Sequence, residues 1–325
     1  MAETLTTEQL VAGVLAGDRR LLARAISAVE DGEPTGRQAV AQLMPHTGKA
    51  MTIGITGPPG AGKSTLVSAL VRGARADALT VGVVSVDPSS PFTQGAVLGD
   101  RIRLVEHFLD EHVFIRSMGT RGHSGGLAEA TLQACLVLDA AGKDVVFVET
   151  VGAGQTEVEV RTIADLVVLV LMPGSGDSIQ ALKAGIMEIP DLVVLNKRDL
   201  DGVETALRDL RLVVGLDPER EPAILTASAI AGEGTDEVWA AVQARHLALE
   251  SDGELGERRR RNLALETLAL AGAEVRRALD RSVREDVSMR ELIRSVERRD
   301  VDPATAASEL AARLLGQDDG AADDR

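Results

Sequence analysis

A glycine-rich loop between an apolar run and a helical run constrains the fold of this chain more than any other feature. Residues 57–64, GPPGAGKS, match the pattern G-x-x-x-x-G-K-[ST] at every fixed position, and they follow the apolar run 52–56. Glycines let backbone N–H groups approach phosphates closely, and the helix that follows turns its N-terminus toward the anion. The sequence therefore predicts a nucleotide-phosphate site formed by Gly57, Pro58, Pro59, Gly60, Ala61, Gly62, Lys63, Ser64 and Thr65.

Three side chains at the end of this loop have separate expected roles. Lys63 should contact the β- and γ-phosphates, and Ser64 should offer its hydroxyl to Mg²⁺. Thr65 is placed to contact the α-phosphate.

Short Val- and Ile-rich runs alternate with helical runs through the middle of the chain. The apolar runs lie at 52–56, 81–86, 112–116, 144–149, 166–172 and 191–195. Several of them, such as VVFV and LVVLVLM, are apolar at every position, which is typical of strands covered on both faces. The alternation predicts an α/β fold of the P-loop NTPase type, with a mostly parallel central sheet flanked by helices.

Helical segments without strands stand at both ends of the chain. Residues 6–30 are predicted to form one helix that begins with a capping box of Thr6 and Gln9, and a second helix fits 34–44. After about residue 250 the strands stop, and three helices are predicted at 256–282, 285–299 and 303–315. We divide the chain into a helical N-terminal arm at 1–48, a P-loop domain at 49–250, a helical C-terminal region at 251–316 and a disordered acidic tail at 317–325.

Composition argues against several classes of protein. The formal net charge of −15 disfavours a nucleic-acid binder, because phosphate affinity needs clustered cations. The run Arg258–Arg261 would point all around a helix axis, so we expect a solvated helix start or interface salt bridges. The longest apolar run is too short to span a bilayer, and the single cysteine, Cys135, is expected to be a buried thiol. A cytoplasmic protein with no membrane or nucleic-acid partner is the expectation.

Two further motifs indicate which base is bound. Asn196-Lys197-Arg198-Asp199 follows an apolar strand and matches the N-K-x-D guanine motif of GTPases. A carboxylate at Asp199 can accept both the ring N1–H and the exocyclic amine of guanine, a donor pair that adenine lacks. Asn196 should hold the loop and the base edge, and the stem of Lys197 should lie on the purine. Ser228-Ala229 resembles the GTPase loop that supports the guanine carbonyl through a backbone N–H; the other interpretation is an ordinary turn.

An acid at the end of a strand indicates where the metal would lie. Glu149-Thr150-Val151-Gly152 has the form of the D-x-x-G switch with Glu in place of Asp, so Glu149 is a candidate near Mg²⁺. Gly152 could donate its N–H to the γ-phosphate. The position of the Ras-like catalytic glutamine holds Ala153, so hydrolysis cannot use that device, and Gln155 is the nearby candidate for positioning water.

Two more acids could contact the metal or its waters. Asp87 ends the run VGVVSVD beside the phosphate loop, and Asp100 ends the loop that follows. For Asp87 the alternative is an Asx turn before Pro88, and for Asp100 it is a helix cap. We favour a functional role for Asp87 and leave both interpretations of Asp100 open.

Together these segments resemble the GTPases associated with methylmalonyl-CoA mutase, the MeaB/ArgK-type family of dimerising P-loop GTPases. The resemblance runs from the early helices to near residue 315. It is carried by GPPGAGKST at 57–65, VDPSSP at 86–91, GDRIR at 99–103, IRSMGTRGHSGGLA at 115–128, ETVGAGQTE at 149–157, PGSGDSIQALKAG at 173–185 and NKRD at 196–199.

The resemblance implies a function that the spacing of motifs does not show. Members of the family are homodimers, joined through the C-terminal helical region, that act as chaperones of an adenosylcobalamin-dependent acyl-CoA mutase. GTP binding and hydrolysis to GDP gate cofactor loading and protect the mutase. The resemblance also implies that Asp87, Asp100 and Glu149 surround Mg²⁺, and that Lys183, in a mobile switch at 173–185, supports hydrolysis.

Three other functions remain open from the sequence. A metallochaperone GTPase for a nickel enzyme would share the fold, but such proteins need exposed Cys and His ligands, and no C-x-x-C or His tract is present. A transport-associated ATPase or kinase is an older label for this family, against which Asp199 argues. A binding module that does not hydrolyse GTP is the third.

Overall fold

The computed structural model describes residues 5–87, 104–119, 126–150, 156–174, 190–214 and 222–316. The strands are β1 Met51–Thr56, β2 Val81–Asp87, β3 Val113–Gly119, β4 Val145–Thr150, β5 Leu166–Leu171, β6 Leu192–Leu195 and β7 Ala223–Thr226. The helices are α1 Thr7–Leu15, α2 Arg19–Glu30, α3 Pro34–Leu43, α4 Lys63–Ala76, α5 Gly126–Ala140, α6 Thr156–Ile163, α7 Val203–Val214, α8 Thr235–Ser251, α9 Glu254–Glu285, α10 Val287–Glu297 and α11 Pro303–Leu314.

The described strands form one parallel sheet in the order β3-β2-β4-β1-β5-β6-β7. This confirms the predicted α/β fold with a parallel central sheet flanked by helices. Every residue of β4, β5 and β6 is buried, as expected for strands that are apolar at every position. The sequence analysis did not name β7, a strand of four residues whose burial is only partial.

Helices cover both faces of this sheet. On one face, α4 and α8 pack over Ile53, Ile55 and Phe147, and the rings of Phe147 and Trp239 lie 6.4 Å apart between centroids. On the other face, the N-terminal helices pack with α5 and α6 in a core that includes Leu22 and Ile26. The N-terminal arm is therefore part of the sheet's covering layer.

The N-terminal arm contains a break that the sequence analysis missed. Residues 6–30 were predicted as one helix, but α1 ends at Leu15 and α2 begins at Arg19. Gly17 adopts a φ of +73°, and the carboxylate of Asp18 accepts from the N–H groups of residues 20 and 21. Asp18 thus starts a new helix by capping it. The capping box of Thr6 and Gln9 at the start of α1 is confirmed.

Of the two expectations for the arginine run at the start of α9, the structure supports salt bridges over a solvated helix start. Arg258 is 6% exposed and donates to Asp191 at 2.9 Å, and Arg259 donates to Asp165 at 2.6 Å. These aspartates stand immediately before β6 and β5. The run therefore binds the start of α9 to the edge of the sheet at which the strands begin.

The chain divides into two compact units, Met1–Ala264 and Leu265–Arg325. In the second unit, α10 and α11 bury Met289, Leu292, Ala306 and Leu310 against one another. Asp302 caps α11, which has proline at its first helical position. The boundaries at residues 48 and 250 stay a prediction, and the tail at 317–325 lies outside the described residues. In the described part of the chain, none of the helices combines the length and apolarity needed to cross a membrane.

Candidate functional site

The phosphate loop joins the end of β1 to the start of α4, and glycine is required at two of its positions. Gly57 has a φ of +139° and Gly62 a φ of +89°, values that side chains with a Cβ rarely adopt. A Cβ on Gly57 would lie 2.1 Å from the carbonyl oxygen of Val170, and one on Gly62 would lie 2.4 Å from Nδ2 of Asn196. The loop is thus packed against β5 and against the residue that opens the guanine motif.

The side chain of Lys63 lies against the loop that precedes it. Lys63 is 7% exposed, and its Nζ donates to the carbonyl oxygens of Gly57 at 2.7 Å and Pro58 at 3.0 Å. These contacts hold a positive charge within the loop, at the N-terminus of α4. The arrangement suits an anion, because the charge of Lys63 and the helix N-terminus act in the same place.

The predicted metal ligands Ser64 and Glu149 are in direct contact. The hydroxyl of Ser64 donates to Oε1 of Glu149 at 2.6 Å, and the two residues are 3% and 5% exposed. A hydroxyl and a carboxylate are oxygen donors of the kind that Mg²⁺ takes in nucleotide sites. The donor set therefore fits the predicted metal, with Glu in place of the usual Asp.

Asp87 lies near this pair along the sheet. It ends β2, two residues beyond Ser85, which is the partner of Glu149 in the register of β2 and β4. The backbone thus ends β2 beside the strand that carries Glu149. The other predicted residues Asp100, Gly152, Gln155 and Lys183 lie outside the described residues, and their roles stay predictions.

Asn196 connects the phosphate loop to both loops predicted to hold the base. It is 2% exposed, its Nδ2 donates to the carbonyl of Ala61 at 2.8 Å, and its Oδ1 accepts from the N–H of Ala229 at 3.0 Å. One amide thus joins residues that are 135 and 33 positions away along the chain. The side chain of Asn196 sets the spacing between the phosphate loop and the guanine loops.

Asp199 is exposed and ready to accept hydrogen bonds. The hydroxyl of Ser228 donates to its Oδ1 at 2.6 Å and holds the pKa of this carboxyl below its usual range. The carboxylate is therefore ionised at neutral pH. An ionised carboxylate can accept from two N–H donors of guanine at once. Lys197 has a φ of +59° and its Nζ lies 3.5 Å from the sulfur of Met172. A Cβ on Gly62 would lie 4.0 Å from Cε of Lys197, so this side chain lies beside the phosphate loop.

Sequence reasoning missed two supports of this site. It assigned Ser228 a backbone role only, whereas the Ser228 hydroxyl also orients Asp199. It also left out Arg198, which pairs with Glu233 at 2.6 Å and ties the guanine motif to the loop after β7. The opposite charges of Arg198 and Glu233 were visible, but nothing in a spacing of 35 residues indicates that they meet.

A parallel sheet that carries a phosphate loop after β1 and an N-K-x-D loop after β6, joined by Asn196, defines a P-loop GTPase. A family model described as "Methylmalonyl Co-A mutase-associated GTPase MeaB" matches residues 22–283. The chain belongs to this family of GTPases, which confirms the resemblance inferred from its motifs.

Known proteins are similar along most of the chain or nearly all of it. A putative GTPase of Pyrococcus abyssi is 43% identical over 95% of this chain and 97% of its own length. The mouse protein named methylmalonic aciduria type A homolog, mitochondrial, is 33% identical over 78% of this chain and 66% of its own length. A solved structure titled LAO/AO transport system kinase superposes with a TM-score of 0.71 at 28% identity, over 97% of this chain and 99% of that one.

Proposed function

We propose that the protein is a Mg²⁺-dependent GTPase that acts as a chaperone of an adenosylcobalamin-dependent acyl-CoA mutase, methylmalonyl-CoA mutase being the first candidate. The observation that carries the guanine specificity is the exposed, ionised carboxylate of Asp199, which the hydroxyl of Ser228 holds in place. Asn196, in the same motif, connects this loop to the phosphate site. GTP is the substrate and GDP is the product.

The chain's own residues bind and orient the triphosphate. The N–H groups of the phosphate loop and the ammonium of Lys63 balance negative charge on the phosphates as water attacks the γ-phosphate in line. Ser64 and Glu149 would hold Mg²⁺, whose charge neutralises phosphate oxygens in this chemistry. Since position 153 is alanine, intrinsic turnover should be slow.

The partner is proposed from the comparisons. The family description names methylmalonyl-CoA mutase, and the mouse relative's name refers to methylmalonic aciduria. We propose that the mutase accelerates hydrolysis by ordering residues 149–157 and 173–185, and that hydrolysis gates cofactor loading and protects the mutase. The expected cytoplasmic location stays a prediction, and the name of the mouse relative places that relative in the mitochondrion.

An exposed apolar row supports the proposal of a homodimer. On α9, Leu265, Leu268 and Val275 are 46%, 70% and 52% exposed, and their spacing puts them along one side of the helix. A second copy of the chain that covers these side chains would remove them from water. Sedimentation should give a dimer for the wild type and a monomer for Leu268→Glu, and a dimer in both would remove this support.

Exchanging Asp199 for asparagine tests the nucleotide assignment. An amide can donate to a carbonyl at purine position 2, so Asp199→Asn should weaken GTP binding at least tenfold and improve binding of xanthosine triphosphate. Asp201→Asn, a matched change at an exposed position of the same loop, should keep the wild-type preference. Equal affinity of the wild type for ATP and GTP would contradict the guanine assignment and favour the transport-kinase function that the solved structure's title names.

The partner assignment has its own test. Steady-state GTP hydrolysis is measured with and without the mutase, and the two proteins are co-purified with GDP or with a non-hydrolysable GTP analogue. We expect faster hydrolysis with the mutase and a complex whose stability depends on the nucleotide. Equal rates and no complex with either nucleotide would contradict the chaperone function while leaving the GTPase assignment intact.

A further inference from the structure

A second cleft lies at the edge of the sheet where the strands begin, opposite the phosphate loop. It has a volume of about 630 Å³ and is lined by Met51, which opens β1, Val145, which opens β4, and residues of the preceding loops. The six residues of β1 separate it from the phosphate loop by roughly 20 Å, at about 3.3 Å per residue. Its volume is in the range of small-molecule sites.

Basic side chains gather in this cleft although the chain as a whole is acidic. His46, Lys49, Lys143 and His246 all line it, in a protein whose formal net charge is −15. The chain has only five lysines among its 35 Lys and Arg residues. Three of the five belong to the predicted nucleotide site, and the other two are the lysines of this cleft.

The two carboxylates of the cleft are already engaged by other groups. Asp139 accepts from the backbone N–H groups of Gly48 at 2.6 Å, Lys49 at 3.2 Å and Ala50 at 3.0 Å. Asp144 accepts from the backbone N–H of Thr80 at 2.7 Å and from its hydroxyl at 2.8 Å. These contacts fix both carboxylates against the loops, and the charge of Asp144 also acts on Lys143.

His246 lines the cleft and carries a polar atom with no partner in the part of the chain that the structure describes. Nε2 of His246 is buried from solvent and makes no hydrogen bond there. Burial lowers the pKa of His246, so its imidazole is neutral at pH 7.5 and can offer one N–H. A buried nitrogen without a partner is costly, so a small rotation of the ring that brought Nε2 to a partner in the cleft would be favourable.

Within the described residues, Lys143 uses only part of its hydrogen-bonding capacity. Its Nζ donates to the carbonyl of His112 at 3.2 Å, which uses one of the three N–H donors of an ammonium group. Burial, and next the nearby charge of Arg19, lower the pKa of Lys143, and the charges of Asp144 and Asp110 offset this in part. A bound anion would further favour the charged form of Lys143.

We propose that this cleft binds a small molecule bearing a phosphate or carboxylate group, held by Lys49, Lys143 and the two histidines. The site is separate from the GTP site and does not depend on the identity of the partner. A concave cleft of this volume favours a small molecule over a flat macromolecular surface.

Histidine signals give a direct assay. Protein with ¹³C-labelled histidine is saturated with Mg²⁺ and a non-hydrolysable GTP analogue, so that the phosphate loop is filled. Inorganic phosphate is titrated at fixed pH and at constant ionic strength balanced with chloride, and succinate is titrated separately. The two signals are assigned with His46→Gln and His246→Gln. We expect the signals of His46 and His246 to shift together, with one saturating midpoint, when at least one of the two probes is added. The probe that shifts them identifies the chemical group that the cleft recognises.

A charge-matched pair of variants separates the cleft from general attraction. Lys49→Gln combined with Lys143→Gln should raise the midpoint at least tenfold, whereas Arg290→Gln combined with Arg294→Gln removes the same charge from α10 and should leave it unchanged. If the lysine double variant does not fold, Lys49→Gln alone, at an exposed side chain, should raise the midpoint about threefold. The proposal is overturned if neither probe shifts the two histidine signals, or if the arginine variant weakens binding equally.

Discussion

Replacing Asn196 with alanine tests whether the nucleotide loops depend on one buried amide. The change removes the donor to the carbonyl of Ala61 and the acceptor of the Ala229 N–H, and both of these alanines are buried. A buried backbone group left without its partner costs about 1–3 kcal/mol. Two such groups predict a loss of about 2–6 kcal/mol from the free energy of unfolding, a large part of the 5–15 kcal/mol typical of a domain.

The same change should weaken nucleotide binding, because the amide sets the distance between the phosphate loop and the guanine loops. Urea unfolding with and without GDP measures both effects. Bound GDP stabilises the folded protein in proportion to the logarithm of its affinity, so a tenfold weaker GDP complex reduces the GDP-dependent increment by about 1.4 kcal/mol.

Asn262 offers a matched control within the same compact unit. Its Nδ2 donates to the carbonyls of Arg161 at 3.1 Å and Ala164 at 3.5 Å, away from the nucleotide loops. Asn262→Ala should cost about 1 kcal/mol and leave the GDP increment unchanged. If GDP raises the free energy of unfolding of Asn196→Ala as much as it raises that of the wild type, the reasoning is refuted. The amide would then stabilise the fold without positioning the nucleotide loops.

Three further predictions use contrasts that the chain itself provides. Gly62→Ala should weaken GDP binding at least tenfold, because the new Cβ would collide with Asn196. Gly202→Ala, at a nearly equal φ of +88° but with open space around the new Cβ, should cost only about 1–2 kcal/mol of strain. Equal GDP affinities of the two variants would contradict the packing argument. Arg258→Ala should lower the free energy of unfolding by about 3–5 kcal/mol, because it leaves the buried carboxylate of Asp191 poorly paired. Arg260→Ala, at an exposed side chain, should change it by less than about 0.5 kcal/mol. Urea titrations of both variants check these values. Burial raises the pKa of the Cys135 thiol to about 12, so a thiol reagent should label it at pH 8 only after unfolding. Because the pKa of this thiol is higher in the folded state, its contribution to the free energy of unfolding is fully present below about pH 8.5 and is lost as the pH rises toward 12. Rapid labelling of the native protein at pH 8 would contradict this prediction.

Much of the fold was predictable because its signals are local. The strands from β1 to β6 follow from apolar runs, and the phosphate loop follows from glycines at fixed offsets between a strand and a helix. The break between α1 and α2 was missed because the apolar spacing continues across Gly17 and Asp18. Strand β7 was missed because four partly buried residues carry too weak a pattern.

By itself, the sequence determined the class of fold, the phosphate loop and the residue that should recognise guanine, because each depends on residue types a few positions apart. Only the tertiary structure decided that the Asn196 amide joins three loops, that Arg258 is buried against Asp191, and that Lys49 and Lys143 share a cleft. Those contacts join residues that are far apart in the chain. The order of the strands in the sheet brings them together, and that order comes from packing the whole core rather than from any local pattern.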